Sequence, residues 1–241
     1  DVSVHLMVFA RFLGLPMKAI EQVGLAGMMM DIGKIDIPPE ILSKADNLTD
    51  EEYTLIQSHV ASSLEMLLGR DGFSTSVLEI VASHHERVDG SGYPRRLKGE
   101  RICFHGELAG LVDSYCAMTR NRAYGPAISS QKALESLIRM RGGKFRDSVV
   151  DQFIQCIGIY PIGSLVELNT GEVGVVIQQN QVRRLKPRLL MVLAADKSIE
   201  RFPVTLDLMM DPLTPDRREY RIVQALPTNA YGIDPAEFYL A

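Results

Sequence analysis

The chain has 241 residues, 46% of them hydrophobic, and a formal net charge of −4. This length and apolar content support a sizeable core without disulfides or metals, in one large domain or two smaller ones. The negative balance argues against nucleic acid as the main partner, and no apolar run reaches the ~18 residues that a membrane span needs. The three cysteines, Cys103, Cys116 and Cys156, form no C-x-x-C pair and no even framework, which suits a reducing cytoplasm. No signal peptide is visible. The first residues already read as helix, so a fragment of a longer protein is expected, with a sensory or regulatory domain in the missing N-terminal part.

Up to about residue 158 the apolar period is helical. A first helix over residues 2–13 carries Val4, Val8, Phe9 and Phe12 and stops near Gly14. A second spans 17–33, with Ile20, Val23, Met28 and Met30 at helical spacing, and Pro38-Pro39 prevents its continuation. Thr49 to Glu52 is a capping box ahead of Tyr53, Ile56, Val60, Leu64 and Leu67, with Gly69 as the stop. Ser76 to Glu79 repeats that signature before Ile80, Val81 and His84. A helix over 106–119 follows a loop rich in glycine, proline and charge. Another starts at Ser129 or Ser130 and ends at Gly142-Gly143, and the last holds Val149, Val150, Phe153, Ile154 and Ile157 and ends at Gly158.

From Pro161 the pattern changes to strands. "GSLVEL" and "VGVVIQQ" are joined by a turn with Asn169 and Gly171, and "RLLMVLAA" and "ERFPVTLDL" follow. The expected fold class is mainly α, a helical domain over 1–158, followed by a small antiparallel sheet or barrel over 161–226 and an irregular tail over 227–241. The basic cluster "VRRLKPR", Val182 to Arg188, reads first as a solvated turn and second as a contact for phosphates or an acidic partner.

Five candidate metal ligands lie in the helical part: Asp31, His59, His84, His85 and Asp113. Each falls on a predicted helix, and helices in a bundle aim such side chains at a common interior point. Imidazole with carboxylate suits Fe, Mn, Zn or Ni. Adjacent residues on a helix point about 100° apart, so His84 and His85 share one ion only at a helix end or distorted turn. Each ligand also has an ordinary structural reading. His59 alone fits a hydrogen-bonded core histidine, and Asp113, between Val112 and Tyr115, fits a buried cap or salt-bridge partner. Asp31 is harder to explain away, because it follows three methionines, and a carboxylate there is costly without a cation or hydrogen bonds.

The loop "HHERVDGSGYP" follows the two histidines with a tight turn, Gly90, Ser91, Gly92 and Pro94, and an aromatic face at Tyr93. As a whole it resembles the signature of the HD-GYP family. "DIGKIDIPPEILSK", "LTDEEYTLIQSHV" and "LVDSYCAMTRNRAYGPAIS" resemble that family's flanking motifs in the same order, over about residues 1–158. "GIYPIGSLVELNTGEVGVV" is similar to a β extension found after the domain in some members.

The resemblance implies an HD-type helical bundle and a bacterial signalling protein related to metal-dependent phosphodiesterases that hydrolyse cyclic di-GMP to pGpG or GMP. It implies two or three metal ions, often iron or manganese, that generate a nucleophilic water and neutralise phosphoryl oxygens. Position by position, it makes Asp31 the bridging and catalytic aspartate. His59, His84 and His85 become ligands of one metal position, and Asp113 a ligand of its neighbour. It places Lys34 at the substrate phosphate as a catalytic and binding group, Arg122 in the phosphate-binding segment, and Tyr93 and Pro94 in the loop that names the family.

The departures cluster. Met30 stands where the family has histidine, Cys116 where it has the second aspartate of "D-x-x-D", and Gly125 where it has a basic residue. Thioether sulfur is a soft ligand, poorly suited to a hydrolytic metal. His5 matches no motif and reads as an ordinary helix residue. The expectation is one well-occupied position for Fe or Mn, a weak or empty second one, and impaired or absent phosphodiesterase activity. The alternatives are an active phosphodiesterase and an HD-type hydrolase of another nucleotide. Expected partners are cyclic di-GMP and a protein such as a diguanylate cyclase.

Overall fold

The computed structural model describes residues 2–120, 127–180 and 182–239. Two compact units divide the chain: Asp1–Pro126 with Ser136–Cys156, and Ala127–Glu135 with Ile157–Ala241.

The first unit is helical. It contains α1 (Val2–Phe12), α2 (Met17–Met29), a 3-10 turn (Ile32–Asp36), α3 (Pro39–Leu42), α4 (Asp50–Gln57), α5 (His59–Leu67), α6 (Thr75–Ser83) and α7 (Phe104–Met118). The end of α8 (Ser130–Arg139) and most of α9 (Asp147–Ile157) complete it. Helix α7 is buried along most of its length, from Gly106 through Val112 and again at Tyr115 and Cys116. A helix buried on nearly all sides sits in the middle of its core. Around it, Phe9 of α1 meets Phe153 of α9 edge-on at 5.1 Å, and Phe153 meets Tyr115 at 5.3 Å.

Three local expectations change. Helix α1 buries Leu6, Phe9 and Ala10, whereas Val4, Val8 and Phe12 stay about half exposed. Apolar residues run round most of this helix, and the stripe with the small Ala10 is the one turned inward; Ser3 Oγ on α1 donates to Gly24 O on α2 at 2.7 Å. The capping box at Thr49 is formed, with Glu52 N donating to Thr49 Oγ1 at 3.2 Å and Thr49 N to Glu52 Oε2 at 2.8 Å. The helix it starts is nonetheless divided at Ser58. Helix α6 is capped by Ser74, which accepts from Val77 N at 3.4 Å, and Ser76 lies inside its first turn.

The second unit is a five-stranded antiparallel sheet of order β4-β3-β2-β1-β5. Its strands are β1 (Leu165–Leu168), β2 (Val173–Gln178), β3 (Arg188–Leu193), β4 (Thr205–Asp207) and β5 (Ile222–Leu226). The β1–β2 turn closes at Gly171, whose φ of 88° is left-handed. Both faces are covered. Leu165, Val173, Val175 and Leu193 share one cluster with Ile233, and Val166, Val176, Leu189 and Met191 share the other with Leu208. Successive side chains of a strand alternate faces, so a doubly covered sheet reads in sequence as continuous apolar runs. Strand β5 is missing from the sequence reading because Val223 and Gln224 are exposed and leave it no such run. The segment read as an irregular tail carries the short α10 (Ala236–Tyr239).

Candidate metal centre

Four of the five candidate ligands meet. One ligating atom each from Asp31, His59, His84 and His85 lies within 4.8 Å of the other three. The elements that bring them together are helix ends rather than helix faces. Asp31 follows the C-cap of α2, with φ −106° and ψ 5°, and precedes the 3-10 turn. His59 opens α5, His84 is the C-cap of α6, and His85 lies just beyond it in the turn. The expectation that all five lie on helices is corrected for Asp31, His84 and His85. Leaving the helix lets neighbouring side chains converge, which the ~100° step inside a helix opposes.

The main chain around Asp31 is fixed by Ser63 of α5. Ser63 Oγ donates to Met30 O at 3.0 Å and accepts from Gly33 N at 2.9 Å. The 3-10 turn lies so close to α5 that a Cβ on Gly33 would overlap His59 O. No larger residue permits that approach.

The imidazoles are oriented from behind. His59 Nδ1 donates to Ile56 O at 2.5 Å and His84 Nδ1 donates to Val81 O at 2.7 Å, each to a carbonyl one turn earlier. A carbonyl only accepts, so the proton sits on Nδ1 and the Nε2 lone pair faces the cluster. This is how proteins orient metal-binding histidines. His59 Nε2 lies 3.3 Å and His84 Nε2 3.9 Å from Asp31 Oδ1. His85 completes the group, its ring 4.0 Å from that of His84 and 5.1 Å from that of His59.

Electrostatics agree with that geometry. Burial pushes His84 down to about 4 and His85 down further still, so both are neutral at pH 7 and keep a lone pair. For Asp31 burial pulls upward, but the charge and hydrogen bond of Lys34 pull downward and hold the carboxylate ionised. Lys34 Nζ donates to Asp31 Oδ2 at 2.8 Å. Asp31 Oδ1 and the three Nε2 atoms are buried without a hydrogen-bond partner. Unpartnered buried polar atoms are costly. Four of them around one point, three imidazole nitrogens and a carboxylate oxygen, suit a divalent transition metal.

Asp113 stands apart from this group of four. It is half-buried on α7, and its charge acts on Arg87 and Tyr93. Met30, read above as standing where the family has histidine, is 1% exposed. Cys116 is buried, and its Sγ lies 3.8 Å from His5 Nδ1 on α1. Sequence reading missed that pairing, because the two residues are 111 positions apart and no local pattern links them. Arg122 and Gly125 lie outside the described residues. Tyr93 stacks on His85 at 4.5 Å and 25°, with Tyr53 edge-on at 6.3 Å, so the loop supplies an aromatic wall beside the donors. Pro94 follows it, exposed, on the same loop. No helix among the described residues is long and apolar enough to cross a membrane.

The family model described as HD domain matches residues 2–149. A cyclic di-GMP phosphodiesterase of Pseudomonas aeruginosa is 35% identical over 198 residues, 82% of this chain and 48% of that protein. A 3'3'-cGAMP-specific phosphodiesterase of Vibrio cholerae is 30% identical over 155 residues, 64% of this chain and 30% of that protein. Among solved structures, an HDGYP protein from Bdellovibrio bacteriovorus matches with a TM-score of 0.53 at 18% identity, covering 63% of this chain and 48% of that one. That last likeness concerns the fold alone. The chain spans about half the length, or less, of the curated relatives it matches.

Proposed function

The chain belongs to the HD domain family, within its HD-GYP branch, and from that premise we propose that it is a metal-binding cyclic di-GMP signalling protein with impaired or absent phosphodiesterase activity. One observation carries the reading. Three unpartnered imidazole nitrogens converge on the unpartnered carboxylate oxygen of Asp31, while the neighbouring Met30, which the resemblance aligns with the family's histidine, is a buried thioether. In this reading Asp31, His59, His84 and His85 hold one divalent ion, iron or manganese. Asp113, outside the group, offers at most a weak second position. When bound, such an ion supplies charge for a phosphate oxygen and acidity for a water.

The chain's own residues divide the remaining work. Lys34, paired with Asp31 and more than a third exposed, is placed to exchange that partner for a phosphate oxygen of the ligand. Tyr93 and Pro94 offer a face on which a guanine base stacks. Arg122 is assigned to the phosphates by resemblance alone. A signalling role without turnover also needs a protein to receive the signal, and a diguanylate cyclase is the partner the family relation suggests.

The second reading, an active phosphodiesterase, draws on the completeness of the four-donor group and on relatives named for that activity. Oxygen-free turnover of cyclic di-GMP with Fe(II) or Mn(II), with pGpG and GMP resolved, separates the two. Activity that appears only in Met30→His supports the impaired reading. Robust metal-dependent turnover by the natural chain overturns it.

A further inference from the structure

Glu86 is the most deeply buried acid near the metal-binding group, 1% exposed, and neither reading above gives it a task. Its two carboxylate oxygens are both used, and both reach forward along the chain. Oε1 accepts from Arg95 N at 2.8 Å and Oε2 accepts from Leu97 N at 2.8 Å. Between Glu86 and the first of these anchors runs the loop that carries Tyr93. Tyr93 N donates to His85 O at 3.2 Å, and a Cβ on Gly92 would overlap Arg87 N and His85 O. The loop is folded directly onto the turn that presents the histidines. From behind, Arg87 Nη1 donates to His84 O at 3.0 Å and Glu86 O at 2.8 Å, and its guanidinium lies 4.8 Å over the Phe145 ring.

We infer that Glu86 is a positioning residue: by tying the backbone at Arg95 and Leu97 to the residue after His85, it sets the Tyr93 ring against His85 and makes the aromatic wall and the metal-binding turn one body. A carboxylate suits this task because it accepts two N–H bonds at once and needs no proton of its own. Charge-assisted bonds to backbone N–H groups are also stronger than neutral ones. Glutamine matches the volume but offers one acceptor, and its amide would face the other N–H donor to donor. The inference rests on the functional reading only in what the wall is for; the clamp itself is testable without metal or nucleotide.

The chain has five histidines, so its imidazole NMR spectrum is simple. Metal-free protein labelled at histidine is compared with Tyr93→Ala, which removes the stacked ring and marks the His85 signal of an unstacked state. Glu86→Gln is expected to move the His85 ring signals most of the way to that position and to leave His5 and His105 where they were. Glu86→Asp, which keeps both oxygens on a shorter arm, is expected to fall between. With Mn(II) restored, Glu86→Gln should bind the ion in unchanged ratio but bind cyclic di-GMP about tenfold more weakly. An unmoved His85 signal in Glu86→Gln overturns the clamp. So does movement of His5 and His105 in both Glu86 variants, which would make Glu86 a support of the whole fold. Failure of cyclic di-GMP to bind even the natural chain would count against the functional reading and leave the NMR result standing.

Discussion

Two sets of residues in the helical unit, the histidines beside Asp31 and the pair Met30 and Cys116, are built from the same kind of material and end up as different objects. In the first set His59, His84 and His85 sit at helix ends, with their Nδ1 protons or their neighbours tied to the main chain and their Nε2 lone pairs unpartnered. In the other set Met30 is packed in the core, and Cys116 on α7 lies 3.8 Å from His5 Nδ1 on α1. Both sets are buried and both contain residues that ligate metals in other settings. What separates them is satisfaction. Polar atoms buried at a cost and aimed at one point indicate a ligand, and buried soft or apolar side chains indicate packing.

Removing a donor from the first set should have the largest effect. His59→Ala is expected to lower Mn(II) affinity at least 100-fold, read as metal content after desalting, by extension from the 10–100-fold losses seen on removing mere outer-shell partners. Asp113→Ala should leave one tightly held ion per chain. If it empties the protein of metal, the contrast drawn above is wrong. Met30→His tests the second set from the opposite direction: the count should rise from one ion to two, and turnover of cyclic di-GMP should rise by two or more orders of magnitude.

The histidine set also carries a pH signature in the metal-free protein. His84 titrates near 4 when folded and near the ordinary 6.5 when unfolded, because burial disfavours its charge. Between those values the unfolded chain takes up a proton that the folded one refuses. The contribution of His84 to stability is therefore complete above pH 6.5 and falls by about 3 kcal/mol as pH drops to 4. His85 and His5, both also lowered by burial, act in the same direction. Urea midpoints measured across that range should show the fall, and His84→Asn should show less of it. The smallest effect concerns the shared backbone. Ser63→Ala removes the acceptor of Gly33 N and the donor to Met30 O and should cost about 2 kcal/mol, with metal binding weakened less than in His59→Ala.

Much of the helical unit was legible because its signals are local. The Thr49–Glu52 box, the stop at Gly158 and the apolar run of α7 are each written in a few adjacent residues. The cluster of four was legible through residue type, and the structure adds why His84 and His85 share a focus: they leave the helix before it turns them apart. What escaped was non-local. The division at Ser58 leaves that residue in helical geometry, with φ −63° and ψ −18°, and breaks no pattern. The inward face of α1 depends on α2 and α9, which a single stretch cannot report. Glu86 was in plain view beside the histidines, but its partners are backbone N–H groups nine and eleven residues on, invisible in side-chain letters.

Ser63 grips residue 30 by its carbonyl oxygen and Gly33 by its amide, never by a side chain at position 30. The turn that presents Asp31 therefore tolerates any residue of suitable volume just before it. Histidine and methionine can exchange at position 30 with the architecture held throughout by an unrelated serine. Chemistry and fold are uncoupled at this position, so a change in what the side chain can do need not disturb the turn that carries Asp31.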